Sequence, residues 1–131
     1  MKEGFVILDT SHPIWDIFFS VFPLVVVGTK ENDHYDLAPK HMAMPMSWEN
    51  YFGFICTPRH STYQNILKNK AFTVSYPKPD QVVLASLAAS PRCDEDNGKS
   101  LLQALPTKPA HLVDGVFLMD AYLHLECELY R

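Results

Sequence analysis

The chain has 131 residues, 47% of them hydrophobic, and a formal net charge of −4. That length suits one domain with a real core, and the acidic balance speaks against a nucleic-acid partner, which would need a basic excess to meet phosphates. No run of eighteen apolar residues occurs, so no membrane span is expected.

The apolar part of Met1 to Asp9 is too short for a signal peptide. Cys56, Cys93 and Cys127 are odd in number and widely spaced, which suits a reducing cytoplasm. Ten prolines divide the chain into short elements and favour a β-rich or α+β fold over a helical bundle. His12 to Phe22 is aromatic-rich (Trp15, Phe18, Phe19, Phe22) and reads as a short helix or a segment that lids one end of a barrel.

Leu24 to Thr29 carries consecutive valines between Pro23 and a polar cluster, which predicts a buried strand ending in a hairpin turn. Pro39 marks the next stretch, Tyr35 to Met44, as an edge or a bulge. Tyr51 to Thr57 reads as a second strand closed by Pro58. Ser61 or Thr62 is the expected N-cap of a short helix reaching about Lys70. Ala71 to Tyr76 alternates as a strand with Phe72 and Val74 on one face. Asp80 is expected to cap a helix through Leu87, Ser90 to Asp96 is a loop by composition, and a second helix spans Lys99 to Leu105. In Ala121 to Tyr130, alternate residues Ala121, Leu123, Leu125, Cys127 and Leu129 share a face, the pattern of a half-buried antiparallel strand.

Lys40, Arg59, Ser61 and Thr62 are the residues best suited to a phosphate, because cations and hydroxyls converge there at a predicted helix start. Taken alone they also read as a solvated arginine and an ordinary cap. Met42, Met44 and Met46 are equally suited to core filling and to flanking a flat ring. His111, His124, Glu126 and Cys127 do not converge on a metal, since Cys127 falls on the opposite face of its strand. Cys56 reads as an inert buried thiol, and Cys93 as reactive only if Arg92 lies beside it. Neither a Gly-x-Gly-x-x-Gly turn nor a Gly-x-Ser-x-Gly elbow is present.

Several of these pieces, in this order, resemble the flavin reductase-like family: the strand ending in Thr29, Asp36-Leu-Ala-Pro39, the Ser47 region, Arg59-x-x-Thr62-x-x-Asn65, and Leu125-Glu-Cys-Glu-Leu129. The resemblance covers roughly residues 20 to 131. It implies a mainly β (α+β) fold, an FMN-binding split β-barrel with short flanking helices, forming one domain over 1–131 that lacks the family's final hairpin. It also implies FMN as cofactor, a homodimer, and a nicotinamide nucleotide as electron donor for flavin reduction or FMN-mediated electron transfer.

By the same resemblance, Thr29, Asp36, Ala38, His41 and Ser47 form a flavin-facing wall. Lys40, Arg59, Ser61, Thr62 and Asn65 form the phosphate end, and Ser90 approaches from the following loop. The chain departs from the pattern at Asp36, where the family more often has Asn, so its carboxylate is expected to point away or to pair with Lys40. Two alternatives remain at this point: a non-catalytic split-barrel dimerisation module that binds no flavin, and a flavoenzyme of the pyridoxamine-phosphate-oxidase type.

Overall fold

A computed structural model describes residues 4, 7–14, 21–92 and 98–130. The aromatic residues Trp15, Phe18 and Phe19 and the thiol Cys93 lie outside the described residues. The centre is a four-stranded antiparallel sheet in the order β2-β1-β5-β8, with β1 at Val25–Glu31, β2 at His34–Lys40, β5 at Ala71–Tyr76 and β8 at Leu123–Glu128. Two ribbons flank it: β3 (Ala43–Pro45) with β4 (Phe52–Phe54), and β6 (Thr107–Pro109) with β7 (Val116–Leu118).

Strand β1 is buried on both faces, which is why its valines run consecutively and do not alternate with polar residues. Val25 and Val27 join Val74, Phe72, Ala43 and Ile66 in one core, on the side of helix α1 (Ser61–Asn69) and the β3–β4 ribbon. Val26 points the other way, into a second core with Leu37, Leu118, Leu105 and two alanines, Ala85 and Ala88, at helix α2 (Val82–Leu87) and its end. The sheet is therefore a middle layer. Asn32 closes the β1–β2 hairpin at φ 54°, a conformation asparagine tolerates.

Gly28 is required by packing. A Cβ at that position would lie 2.4 Å from the Thr73 hydroxyl and 2.5 Å from the Val116 carbonyl oxygen. Thr73 Oγ1 donates a hydrogen bond to that same carbonyl at 2.6 Å. The β6–β7 ribbon thus comes down onto the sheet through a site that only a bare Cα leaves open.

Several sequence expectations are corrected. His60, in extended conformation, is the N-cap of α1, in place of Ser61 or Thr62, and no side chain makes the cap hydrogen bond. The predicted strand Tyr51 to Thr57 pairs over three residues alone, because it opposes the short segment Ala43–Pro45. Pro79–Gln81 forms a 3-10 turn before α2, in which the Gln81 side chain, and not that of Asp80, accepts from the Lys78 amide. The helix expected at Lys99 to Leu105 is a 3-10 turn at Ser100–Ala104. The β6–β7 ribbon was not anticipated: Pro109 and the bends at 111–114 conceal the alternation of two three-residue strands. Pro39 does sit on an edge strand, since β2 pairs with β1 alone among the described strands. No helix among the described residues is long and apolar enough to cross a membrane.

Candidate functional site

The outer edge of β2 forms one wall of a cleft of about 420 Å³. Asp36, Ala38 and Lys40 occupy alternate positions and share a face of the strand. Opposite them stand Arg59, His60 and the first residues of α1, Ser61 and Thr62. The third wall is the segment after α2, with Ala88, Ala89, Arg92 and Lys99. Four cations thus face one carboxylate, that of Asp36.

Helix α1 is held in place by polar contacts on its inner face. Thr62, Asn65 and Ile66 are buried, and Asn69 lies one turn further along the same face. Asn65 Nδ2 donates to the Thr29 hydroxyl at 3.1 Å, and Asn69 Nδ2 donates to the Lys30 carbonyl at 2.8 Å. Polar groups inside a core specify a register only when they are paired, as these are. The start of α1 is thereby fixed against β1, and its first two residues, Ser61 and Thr62, line the cleft. Because no side chain caps that turn, its positive potential is left for solvent or an anion.

Asp36 is only 2% exposed. The sequence reading offered two outcomes, pointing away or pairing with Lys40, and neither is met: Asp36 lines the cleft and has other partners. Lys99 Nζ lies 2.7 Å from its Oδ1 and Arg92 Nη2 lies 3.5 Å from its Oδ2. Arg92 in turn grips Glu31 with two contacts of 3.0 Å. Burial raises the Glu31 carboxyl, but the Arg92 hydrogen bonds and charge outweigh it and hold the group below its usual value of 4.5.

The predicted site residues fall into four groups. Asp36, Ala38, Lys40, Arg59, Ser61 and Thr62 are brought together in the cleft. Thr29 and Asn65 lie beneath it, bonded to each other. His41 and Ser47 are elsewhere. His41 is exposed past the end of β2, and Ser47 belongs to a separate open groove between the β3–β4 ribbon, α1 and β8. Ser90 adjoins the third wall, and its hydroxyl is buried without a hydrogen-bond partner. Lys99 was missed as a site residue: the sequence reading placed it at a helix start, whereas its ammonium reaches back to β2. The acidic segment before it, ending in Asn97-Gly98, reads as a turn and offered no local signal of that contact.

Cys56 is half-buried, not inert core. Its Sγ lies 3.9 Å from His60 Nδ1. Cys127 packs against the first core, and burial pushes its thiol up to about 11. On the other face of β8, Glu126 accepts from the amides of His111, Leu112 and Val113, and His124 Nε2 lies 3.1 Å from the Leu118 carbonyl. Glu126 thus braces the turn before β7, and His124 holds the end of that strand.

This layered sheet with its edge cleft defines a protein of the split β-barrel class. Residues 20–131 match the flavin reductase-like domain family, and the chain belongs to that family. Among solved structures it is similar to the flavoredoxin of Desulfovibrio vulgaris (23% identity, TM-score 0.73, covering 85% of this chain and 61% of that one). It is also similar to an FMN-binding protein from Thermus thermophilus (24% identity, TM-score 0.73, covering 86% and 61%). A protein with a split barrel domain from Shewanella frigidimarina matches at 16% identity and TM-score 0.76, covering 95% and 64%. The chain therefore spans about three fifths of the length of these structures. No curated protein matches it.

Proposed function

We propose that the cleft binds the phosphate end of FMN and that the protein is a flavoprotein acting in NAD(P)H-dependent flavin reduction or FMN-mediated electron transfer. The observation that carries this reading is the meeting of Lys40, Arg59 and the uncapped first turn of α1 at one cleft. A phosphomonoester is close to dianionic, and cations, hydroxyls and backbone N–H groups are the donors it needs. Ser61 and Thr62 supply hydroxyls at that turn, and the small side chains of Ala38, Ala88 and Ala89 leave room for a polyol chain. The donor set fits the phosphate. Family membership and the likeness to an FMN-binding protein support the same cofactor.

When bound, FMN supplies the hydride and electron chemistry itself. The work of this chain is then to bind and orient. Arg59 and Lys40 balance the phosphate charge, α1 fixes its position through Asn65 and Asn69, and β2 forms the wall beside it. A homodimer with a nicotinamide nucleotide as donor belongs to this reading, as does a cytoplasmic setting.

The test is the visible spectrum of the purified protein before and after FMN addition and gel filtration. Retained flavin bands support the reading. Arg59→Ala is expected to weaken FMN binding by about 1.5–3 kcal/mol, the size of a charge-assisted hydrogen bond. Unchanged affinity by fluorescence titration removes Arg59 from the site. NADH consumption then separates a reductase from an oxidase of the pyridoxamine-phosphate type.

A second reading is a non-catalytic split-barrel module. The buried carboxylate of Asp36 favours it, since a negative charge in the cleft opposes an anion. A colourless protein that takes up no FMN is its signature.

A further inference from the structure

Asp36 raises a problem that Lys99 answers. A carboxylate 2% exposed in a cleft meant for a dianion repels the ligand strongly, because little water screens it. The Lys99 side chain is itself only 11% exposed, and its Nζ sits 2.7 Å from Asp36 Oδ1. Its hydrogen bonds go to two carbonyls, Leu37 at 2.9 Å and Ala88 at 3.0 Å, and Asp36 Oδ1 receives no aligned hydrogen bond. The ammonium therefore offsets the carboxylate by charge while tying the end of α2 to the outer edge of β2. Arg92, from the same wall, adds a longer ion-pair contact of 3.5 Å to the other carboxylate oxygen, Oδ2.

We propose that Lys99 is a positioning residue that neutralises Asp36 and anchors the third wall of the cleft, and so makes the cleft selective for a phosphorylated ligand over its phosphate-free counterpart. The proposal rests on the reading of the cleft as a phosphate site. Lys99 need not touch the ligand. It acts by removing a repulsion and by holding Ala88 and Ala89 against β2. The pair works as a unit: an uncharged residue at both positions leaves the cleft with the same net charge as the native pair.

The experiment compares FMN with riboflavin, which lacks the phosphate, by fluorescence titration of the native protein, Asp36→Asn, Lys99→Met and the double variant. Lys99→Met should weaken FMN binding about tenfold or more, the effect expected when a buried carboxylate loses its nearer cation and keeps only the 3.5 Å contact with Arg92, and change riboflavin binding by less than about threefold. The double variant should recover most of the FMN binding lost in Lys99→Met, because the net charge is restored, and what it fails to recover measures the lost anchor to the Leu37 and Ala88 carbonyls. Asp36→Asn alone keeps the Lys99 contacts to both carbonyls and should bind FMN at least as tightly as the native protein.

Equal losses of FMN and riboflavin in Lys99→Met, with no recovery in the double variant, would make the pair purely structural and overturn the proposal. If Lys99→Met does not fold, Asp36→Asn decides: a weaker preference for FMN over riboflavin overturns it, and an equal or stronger one supports it. If the native protein takes up neither flavin, the proposed function fails separately, and inorganic phosphate becomes the probe. A phosphate-dependent rise in melting temperature that is kept in the double variant and lost in Lys99→Met supports the pair's role. No rise in the native protein overturns it.

Discussion

Asn65 on helix α1 donates a hydrogen bond to Thr29 on strand β1 at 3.1 Å, with both residues buried. Two residues that the family resemblance assigns to the cofactor site, Thr29 to the flavin-facing wall and Asn65 to the phosphate end, are thus joined to each other. Their effect on the site is indirect: they set where the first turn of α1 points. Asn65→Leu should cost about 1–3 kcal/mol by leaving the Thr29 hydroxyl without its partner. Urea denaturation measures the loss, and an unchanged midpoint would show that the bond contributes no net stability.

Gly28→Ala tests the close approach of the β6–β7 ribbon. The added Cβ meets the Thr73 hydroxyl and a main-chain oxygen of Val116, and the latter cannot turn aside. Overpacking of this kind costs about 1–3 kcal/mol or more. Removing the hydroxyl with Thr73→Ala should restore only part of that loss, since the Val116 contact remains. Full recovery in thermal melts would locate the whole strain at Thr73.

The two described cysteines should differ in reactivity. Cys127 is pushed up to about 11 by burial, while Cys56 is half-buried beside His60. At about pH 8, iodoacetamide should modify Cys56 well before Cys127 in the folded protein, as peptide mapping by mass spectrometry would show. The same shift has a stability consequence. Below the ordinary thiol value of 9.0 Cys127 is neutral folded or unfolded, and between there and about 11 only the unfolded chain loses its proton. Stability should therefore fall across that interval, and Cys127→Ala should flatten this part of the profile.

Acid acts through Glu31. The Glu31 carboxyl is held below 4.5 in the fold, so its pairing with Arg92 stabilises the protein above that value. The contribution disappears as pH falls through the lowered value, because the proton is then bound in both states. Arg92→Met should make the acid limb of the stability curve shallower. An identical acid limb in denaturant titrations at several pH values would mean that other carboxyls carry acid unfolding.

The strands were legible where their residues do one thing. Val25 to Val27 and Phe72 to Val74 announce buried strands because β-branched and aromatic side chains pack well on a pleated surface. The N-cap was misplaced by one or two residues, since Ser61 and Thr62 are good capping residue types but stand as the first two residues of the helix itself. The ribbon at Thr107–Pro109 and Val116–Leu118 was not legible, being too short for periodicity to accumulate. The phosphate-suited set Lys40, Arg59, Ser61 and Thr62 was found from residue chemistry and spacing. Lys99 was not, because its contacts lie 62 and 11 residues away along the chain.

The sequence by itself determined the central strands β1 and β5, the resemblance to the family, and the residue types Lys40, Arg59, Ser61 and Thr62. Residue type and short-range pattern are properties of the chain alone. Only the tertiary structure decided which charge faces which. It placed Lys99, and not Lys40, against Asp36, set Ser47 and His41 apart from the cleft, and turned Thr29 and Asn65 towards each other. A buried carboxylate takes its partner from whatever element the fold packs against it, and sequence distance has no part in that choice.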